Sequence, residues 1–192
     1  LVAGDTVFVA GGPYVGRSGT LAISGVGTAA APIVVTAVDP AARPLVPAHV
    51  ELAGSYILVE HINFEGPDAG VRVQTPSDHV VVRFSEIHGG VGGPSSGLYT
   101  GRWNPEDDPA VAEQVVFFAN SIHDNGDWQA TFDEDYHAVA IGHHAHHVWV
   151  LDCVMFHNSG DGMQINAKKA GLRETLHHIY IGRNTAFENK QT

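Results

Sequence analysis

The sequence predicts an all-β fold: a right-handed parallel β-helix in which three short strands make each coil and the coils stack into a solenoid. Two observations carry that expectation, a composition that favours turns over helices and a strand-like segment that recurs along the chain. The 192 residues include 22 glycines and 10 prolines, and only 16% are charged. With valine, isoleucine and threonine frequent and no long amphipathic period, such a chain makes many short strands joined by turns. Its 44% hydrophobic content is ample for one continuous core, so a single domain over residues 1–192 is expected.

The repeat supplies the register. HVVVRFSEIHGG from His79, QVVFFANSIHDNGD from Gln114, HVWVLDCVMFHNSGD from His147 and HIYIGRNTAFENK from His178 align at spacings of 35, 33 and 31 residues. SYILVEHINFEG from Ser55 and APIVVTA from Ala31 read as earlier copies. Each copy alternates, which places Leu58, Val80 with Val82, Val115 with Phe117, Val148 with Val150, and Ile179 with Ile181 on one face, the expected interior. The same register turns Ile57, Val81, Val116, Trp149 and Tyr180 outward, with Phe118 and Leu151 beside them.

A second set of strands lies between the copies: GVRVQ from Gly70, GLYT from Gly97, HAVAIG from His137 and DGMQIN from Asp161. The short segments SEIH, NSIH and CVMF supply the third strand of a coil. Such units bury their apolar faces only by stacking on one another. Asn125, Asn158 and Asn189 fall at one place in three copies and are expected to hydrogen-bond along the axis as a ladder.

The stretches GDTVFVAGGPY, SGVGTAAAPIVVTA and LAGSYILVEHINFEG resemble the first coils of chondroitinase and alginate lyases in the pectate-lyase-like superfamily of right-handed parallel β-helices. That superfamily includes polysaccharide lyases and glycoside hydrolases, and the resemblance covers most of the chain. It implies a secreted, carbohydrate-active protein, extracellular or periplasmic, and a polysaccharide lyase-like action on an acidic polysaccharide. The Lys and Arg pair and the acidic calcium motif of those lyases have no residue-by-residue match, so their catalytic residues are not carried over. NSGDGMQI from Asn158 is similar to the NTDGIDI type of strand in polygalacturonase-like hydrolases. There Gln164 replaces the second aspartate, so the paired carboxylates of an inverting hydrolase are not assembled.

The densest ionisable stretch is HDNGDWQATFDEDYHAVAIGHHAHH, from His123. Its carboxylates Asp127, Asp133 and Asp135 are candidate ligands for Ca²⁺, which takes several hard oxygens, although aspartates also serve plain turns. Asp133, Asp135 and His137 alternate and share a face if the strand extends that far back, which makes His137 a candidate proton acceptor. A lyase acting on uronates also needs positive charge for the substrate carboxylate and an acid for the leaving oxygen. Lys168, followed by Lys169 and Arg173, offers that charge beyond Asp161. A groove along this sheet is expected to present Arg72, Tyr99, His137, Gln164 and Lys168.

HHAHH, from His143 to His147, invites a transition metal, since imidazole suits Zn, Cu or Ni. His147 aligns with His79 and His178 at the head of a strand, however, which leaves His143, His144 and His146 in the preceding turn. The apolar outer stripe around Trp149 and Tyr180 is too large for ordinary surface, so it is expected to bind a polysaccharide or a protein partner. Self-association through that stripe, or through an open end of the solenoid after Thr192, is a further expectation.

A net charge of −11, from 21 acidic and 10 basic residues, argues against nucleic acid and anionic membranes as partners. No apolar run approaches the ~18 residues of a membrane span, and Leu1 opens on strand-like sequence without a charged leader. Cys153 is the single cysteine, and its apolar neighbours suggest a small buried hydrophobe. Against the lyase stands a second class, a non-catalytic structural or adhesive solenoid of the filament, adhesin or tailspike kind with a cation-binding surface.

Overall fold

The chain winds through three sheets in turn, because each short apolar strand is ended by a corner residue that redirects the backbone onto the next face. The computed structural model describes residues 1–67, 69–91, 96–102, 109–131, 134–166 and 175–190. Among these there is no α-helix, and no helix long and apolar enough to cross a membrane.

The first sheet is built from β2 (Thr20–Val26), the start of β4 (His49–Glu60), the start of β6 (Gly70–Arg83), β8 (Ser96–Thr100), β11 (His137–Ile141) and β14 (Met163–Ile165). The second holds β1 (Thr6–Val9), β3 (Ile33–Ala37), the ends of β4 and β6, β9 (Ala112–Phe118), β12 (Ala145–Leu151) and β15 (Leu176–Gly182). The third holds β5 (Asn63–Glu65), β7 (Glu86–His88), β10 (Ser121–His123), β13 (Val154–Phe156) and β16 (Thr185–Phe187). The named strands pair in parallel throughout.

The core is a set of columns running along the axis. On the second sheet Ile57, Val80, Val115, Val148 and Ile179 stack in register, as do Val59, Val82, Phe117, Val150 and Ile181. Phe64, Ile87, Ile122 and Met155 make the matching column of the third sheet. All but the last coil of these columns is buried.

One expected register is corrected here. Leu58, expected inside, pairs with Val81 in the outward column, whereas Ile57, expected outside, is buried. A slip of one residue exchanges the two faces of a strand. Position 56 decides it: Tyr56 adopts a left-handed φ of 51°, so the inward alternation restarts at Ile57.

That corner recurs. Tyr56, His79, Gln114, His147 and His178 all have φ between 51° and 54°, and the next corner of each coil repeats it at His61, Phe84, Ala119, Asp152 and Arg183. Left-handed backbone is uncommon for residues with a Cβ, and here the same strained bend is held in place by the coils on either side. At Gly54 no side chain is tolerated, since a Cβ there would lie 1.8 Å from the carbonyl oxygen of Gly25 on the preceding coil.

Two ladders of side-chain amides hold the turns around the third sheet. Asn125 Nδ2 donates to Asn158 Oδ1 at 2.8 Å, and Asn158 Nδ2 donates to Asn189 Oδ1 at 2.7 Å. At the other end of this sheet, Asn120 Oδ1 accepts the Ser85 N–H, and Asn184 Oδ1 accepts the Cys153 N–H. Cys153 interrupts this second ladder: it is fully buried, burial pushes its thiol pKa up, and its sulfur sits 3.5 Å from the Leu151 carbonyl.

An amide at position 153 would complete the row. Asn120 Nδ2 and Asn184 Nδ2 each donate to the backbone carbonyl two residues before the strand's corner, on Val82 and Val150, and Phe117 O is the equivalent acceptor for residue 153. Cys153→Asn is therefore expected to stabilise the fold by about 0.5–1.5 kcal/mol, the net worth of one such bond. In a domain this size that raises Tm by about 1–6 °C in a calorimetric scan. A lower Tm would mean that the amide does not fit the thiol's space.

The first and last coils leave inward-facing side chains open to solvent, Val7 at one end and Ile165 and Ile181 at the other.

Candidate functional site

Parallel stacking turns residues far apart in sequence into rows. On the first sheet Arg72 pairs with Tyr99, Tyr99 with Ala140, and Ala140 with Gln164, so these four form one outward column across four coils. At about 4.8 Å per rung the column is ~14 Å long. Of the five residues expected in this groove, Arg72, Tyr99 and Gln164 are brought together. Lys168 lies outside the described residues, and His137 stands apart.

The column carries an unusual set of polar atoms. Arg72 Nε, Tyr99 Oη and Gln164 Oε1 are each buried and have no hydrogen-bond partner. An unpartnered buried polar group costs about 1–3 kcal/mol, so three in one row are a feature that folding alone does not favour. The Arg72 guanidinium lies over the Tyr99 ring, 5.0 Å from its centre. Burial drives the Tyr99 phenol up to about 12, against the opposing pull of the Arg72 and Arg102 charges. The hydroxyl reaches its place because position 142 is glycine: a Cβ there would stand 2.6 Å from Tyr99 Oη and 2.5 Å from the Arg102 carbonyl oxygen.

Arg102 lies two residues past β8. It is placed by a backbone bridge, its N–H donating to the His143 carbonyl at 2.7 Å and its carbonyl accepting the His143 N–H at 2.9 Å. This crossing joins coils through an irregular segment, and no periodicity in the sequence marks it.

His137 is 1% exposed, and its Nδ1 accepts the backbone N–H of Asp161 at 3.0 Å. Its lone pair is thereby engaged, and the proton belongs on Nε2, which faces the Asp135 carboxylate 3.1 Å away but out of line for a hydrogen bond. The side chain fixes the turn that leads into β14, which is a positioning role; a free base for a substrate would need that lone pair. Asp161 is half-buried at this turn, its carboxylate 3.6 Å from the same imidazole nitrogen.

The acidic stretch does not assemble as alternation suggested. β11 begins at His137, and Asp135 sits before it with a left-handed φ of 59° and an exposed side chain, so the two do not share a strand face. Tyr136 is the anchor between them, donating its hydroxyl to the Ala69 carbonyl at 3.0 Å. Asp127 closes a turn, accepting the Gln129 N–H, while its own N–H donates to Glu134. Asp133 lies outside the described residues. Among those described, neither Asp127 nor Asp135 belongs to a group of three ligands close enough for one ion. These two carboxylates do not fit a Ca²⁺ cage, and no chemistry is routed through one.

On the second sheet the outward column runs Leu58, Val81, Val116, Trp149 and Tyr180. Trp149 and Tyr180 stack with ring centres 5.2 Å apart and planes within 10°. Tyr56, Leu58, His79, Val81, Val116 and Trp149 line a shallow groove of about 610 Å³ beside them. Trp149 and Tyr180 thus lie on the outward face, as the sequence register places them, at one end of a mainly apolar trough.

No protein-family model and no curated protein matches the sequence. Solved structures do. The chain is similar to the pectate lyase Pel9A over 85% of its length, with a TM-score of 0.65 and 15% identity, and spans 42% of that enzyme. It is also similar to an alginate lyase from Paenibacillus sp. str. FPU-7, over 96% of this chain and 70% of that one, with a TM-score of 0.59 and 15% identity. A mannuronic acid specific polysaccharide family 6 lyase from human gut microbiota matches 97% of the chain and 48% of its own, at a TM-score of 0.51 and 13% identity. With the parallel registers described above, these likenesses establish the architecture: the chain has a pectate-lyase-like right-handed parallel β-helix fold.

Proposed function

We propose that this chain is a carbohydrate-active β-helix, extracellular or periplasmic, that binds an acidic polysaccharide along its first sheet and cleaves it by β-elimination. The observation that carries the reading is the Arg72–Tyr99–Gln164 column, whose three orphaned polar atoms match what a uronate chain offers, carboxylate and hydroxyl groups repeated along a line. The three structural neighbours are polysaccharide lyases, which supports the same substrate class.

In this reaction a base removes the proton on the carbon next to the carboxylate. The electron pair forms a carbon–carbon double bond, the glycosidic carbon–oxygen bond on the neighbouring ring carbon breaks, and an acid protonates the departing oxygen. Arg72 answers the carboxylate charge. Tyr99, a phenol held fully protonated at neutral pH, is the acid. Gln164 orients a hydroxyl at the far end of the column, and Lys168, three residues past β14 in sequence, adds positive charge for the substrate carboxylate.

The net charge of −11 repels a polyanion at long range. Beyond about 8 Å that repulsion is screened at physiological ionic strength, so the local cations decide binding.

The test is incubation with a panel of pectate, alginate and chondroitin-type chains, following ultraviolet absorbance of the unsaturated product. Absorbance should rise with at least one uronate polymer and with no neutral glycan. Failure across the whole panel would remove the lyase assignment. The Trp149–Tyr180 platform and its trough favour a second reading, a non-catalytic module that holds a glycan or protein on the second sheet. Binding that is lost on changing Trp149 and Tyr180 to Glu, with no product formed, would select that reading.

A further inference from the structure

We propose that His146, His147 and His177 form a binding site for a divalent transition cation of the zinc class, with His178 stacked at its edge, on the corner between the first and second sheets. The site is independent of the polysaccharide column, which lies on another face.

Two adjacent coils each place a histidine pair at this corner. His146 precedes the left-handed His147 at the start of β12, and His177 precedes the left-handed His178 at the start of β15. His146 and His177 are register partners, and their rings stack with centres 4.6 Å apart and planes within 7°. His147 and His178 stack likewise at 4.5 Å and 6°. Within each coil the two rings are edge-on, at 84° and 82°, which aims the Nδ1 atoms at one another. The Nδ1–Nδ1 distances are 3.0 Å for His146 and His147 and 2.6 Å for His177 and His178.

Each of these contacts is a hydrogen bond in which one Nδ1 accepts, so each pair holds at least one Nδ1 lone pair that a cation can take over. A tetrahedral cation with bonds of about 2.0–2.1 Å holds its nitrogen ligands roughly 3.3 Å apart, close to the spacing that the fold has already set within a coil. One ligand atom from each of His146, His147 and His177 lies within 4.8 Å of the others, so closing the set takes a ring shift of about an ångström. His177 is exposed and free to make it.

The charged groups facing the site come from three strands. Glu113 of β9 is the register partner of His146 on the preceding coil, with Oε2 3.7 Å from His146 Nδ1, and among the described residues the other titrating groups are the four histidines of β12 and β15. An all-imidazole set with one carboxylate nearby suits Zn²⁺, Cu²⁺ or Ni²⁺ and excludes Ca²⁺, which wants oxygen. His143 and His144, the first half of HHAHH, take no part. Both are buried, and their places as ligands are filled by the pair one coil on. A cation held here would tie the last two described coils together, and binding to the folded state alone would raise stability.

The experiment is isothermal titration of the untagged, metal-stripped chain with Zn²⁺, alongside thermal unfolding with and without it. The expected result is one Zn²⁺ per chain and a raised Tm. His177→Gln and, separately, His146→Gln should each weaken Zn²⁺ binding at least tenfold with the circular dichroism spectrum retained. His157→Gln, a histidine on the third sheet's corner, should leave it unchanged. Absence of one-to-one binding overturns the proposal, as does binding that survives both substitutions, falls equally in His157→Gln, or is displaced by Ca²⁺.

Discussion

Asn158→Asp should cost about 3–5 kcal/mol of stability at pH 7, the range seen when a buried paired group is left as an uncompensated charge. Asn158 is fully buried. Its Oδ1 accepts from Asn125, and its Nδ2 faces three acceptors, Asn189 Oδ1 at 2.7 Å, the Phe156 carbonyl at 3.0 Å and the Ile122 carbonyl at 3.2 Å. A carboxylate keeps the first bond and turns the other three contacts into oxygen against oxygen. The variant carboxyl should therefore have a folded-state pKa raised well above the ~3.9 of an unfolded aspartate, because protonation supplies one donor and removes the charge.

The sign follows from that direction. A raised folded-state pKa gives stability that is fully present below the unfolded value and is lost as pH rises through the folded one. The deficit against the parent chain should accordingly shrink on acidification, read as urea midpoints at pH 7 and pH 4. The same change at Asn189, which is half-buried at the end of the ladder, should cost less than half as much. Equal deficits at the two positions, or a deficit independent of pH, would show that the amides contribute by shape and not by hydrogen bonding along the axis.

That ladder was legible in the sequence because it needs only spacing: three asparagines at one place in three aligned copies can only stack if the copies do. The interior columns were legible for the same reason, since Val80, Val115 and Val148 fall at one position in three copies, each directly after the residue that opens the copy. Leu58 was misread because the corner that resets its strand is Tyr56, and nothing about a tyrosine announces a left-handed φ. Starting that copy at Ser55 puts it one residue out of step, since the structure sets Tyr56 level with His79, Gln114, His147 and His178.

The site was harder to read, and the reason is geometric. Chemistry in a stacked fold comes from columns, so residues dense in sequence are spread around a coil while residues far apart meet. Asp127 and Asp135 lie eight positions apart in sequence and serve separate turns, whereas Arg72 and Tyr99 lie on adjacent rungs. The histidines repeat the lesson. HHAHH drew the eye as a cluster, but the rings that converge belong to HHVWV and HHIYI, whose spacing of 31 residues was already in the repeat.

Tyr99→Phe should separate folding from catalysis in opposite directions. The hydroxyl is buried without a partner, so removing it relieves an unsatisfied polar group, and the variant should be as stable as the parent or more so by up to about 1–3 kcal/mol. The ring that Arg72 covers is retained, and binding of a uronate chain should change little. Turnover should fall by about 10²–10⁴-fold, the usual contribution of a positioned proton donor, and the loss should lie in kcat and not in KM. Arg72→Met, by contrast, should act first on KM, because it removes the charge that meets the carboxylate. The phenol also gives a readout free of any substrate. Because its folded-state pKa stands at about 12, above the ~10 of an unfolded tyrosine, ionisation of Tyr99 favours the unfolded chain, so this group adds no pH dependence below pH 10 and destabilises the fold as pH climbs towards 12. In an ultraviolet titration of the five tyrosines, Tyr99→Phe should delete a late-titrating component and make alkaline unfolding less steep. If it deletes an ordinary component instead, the phenol is solvated, and the argument for Tyr99 as a protonated donor at the floor of the column fails with it.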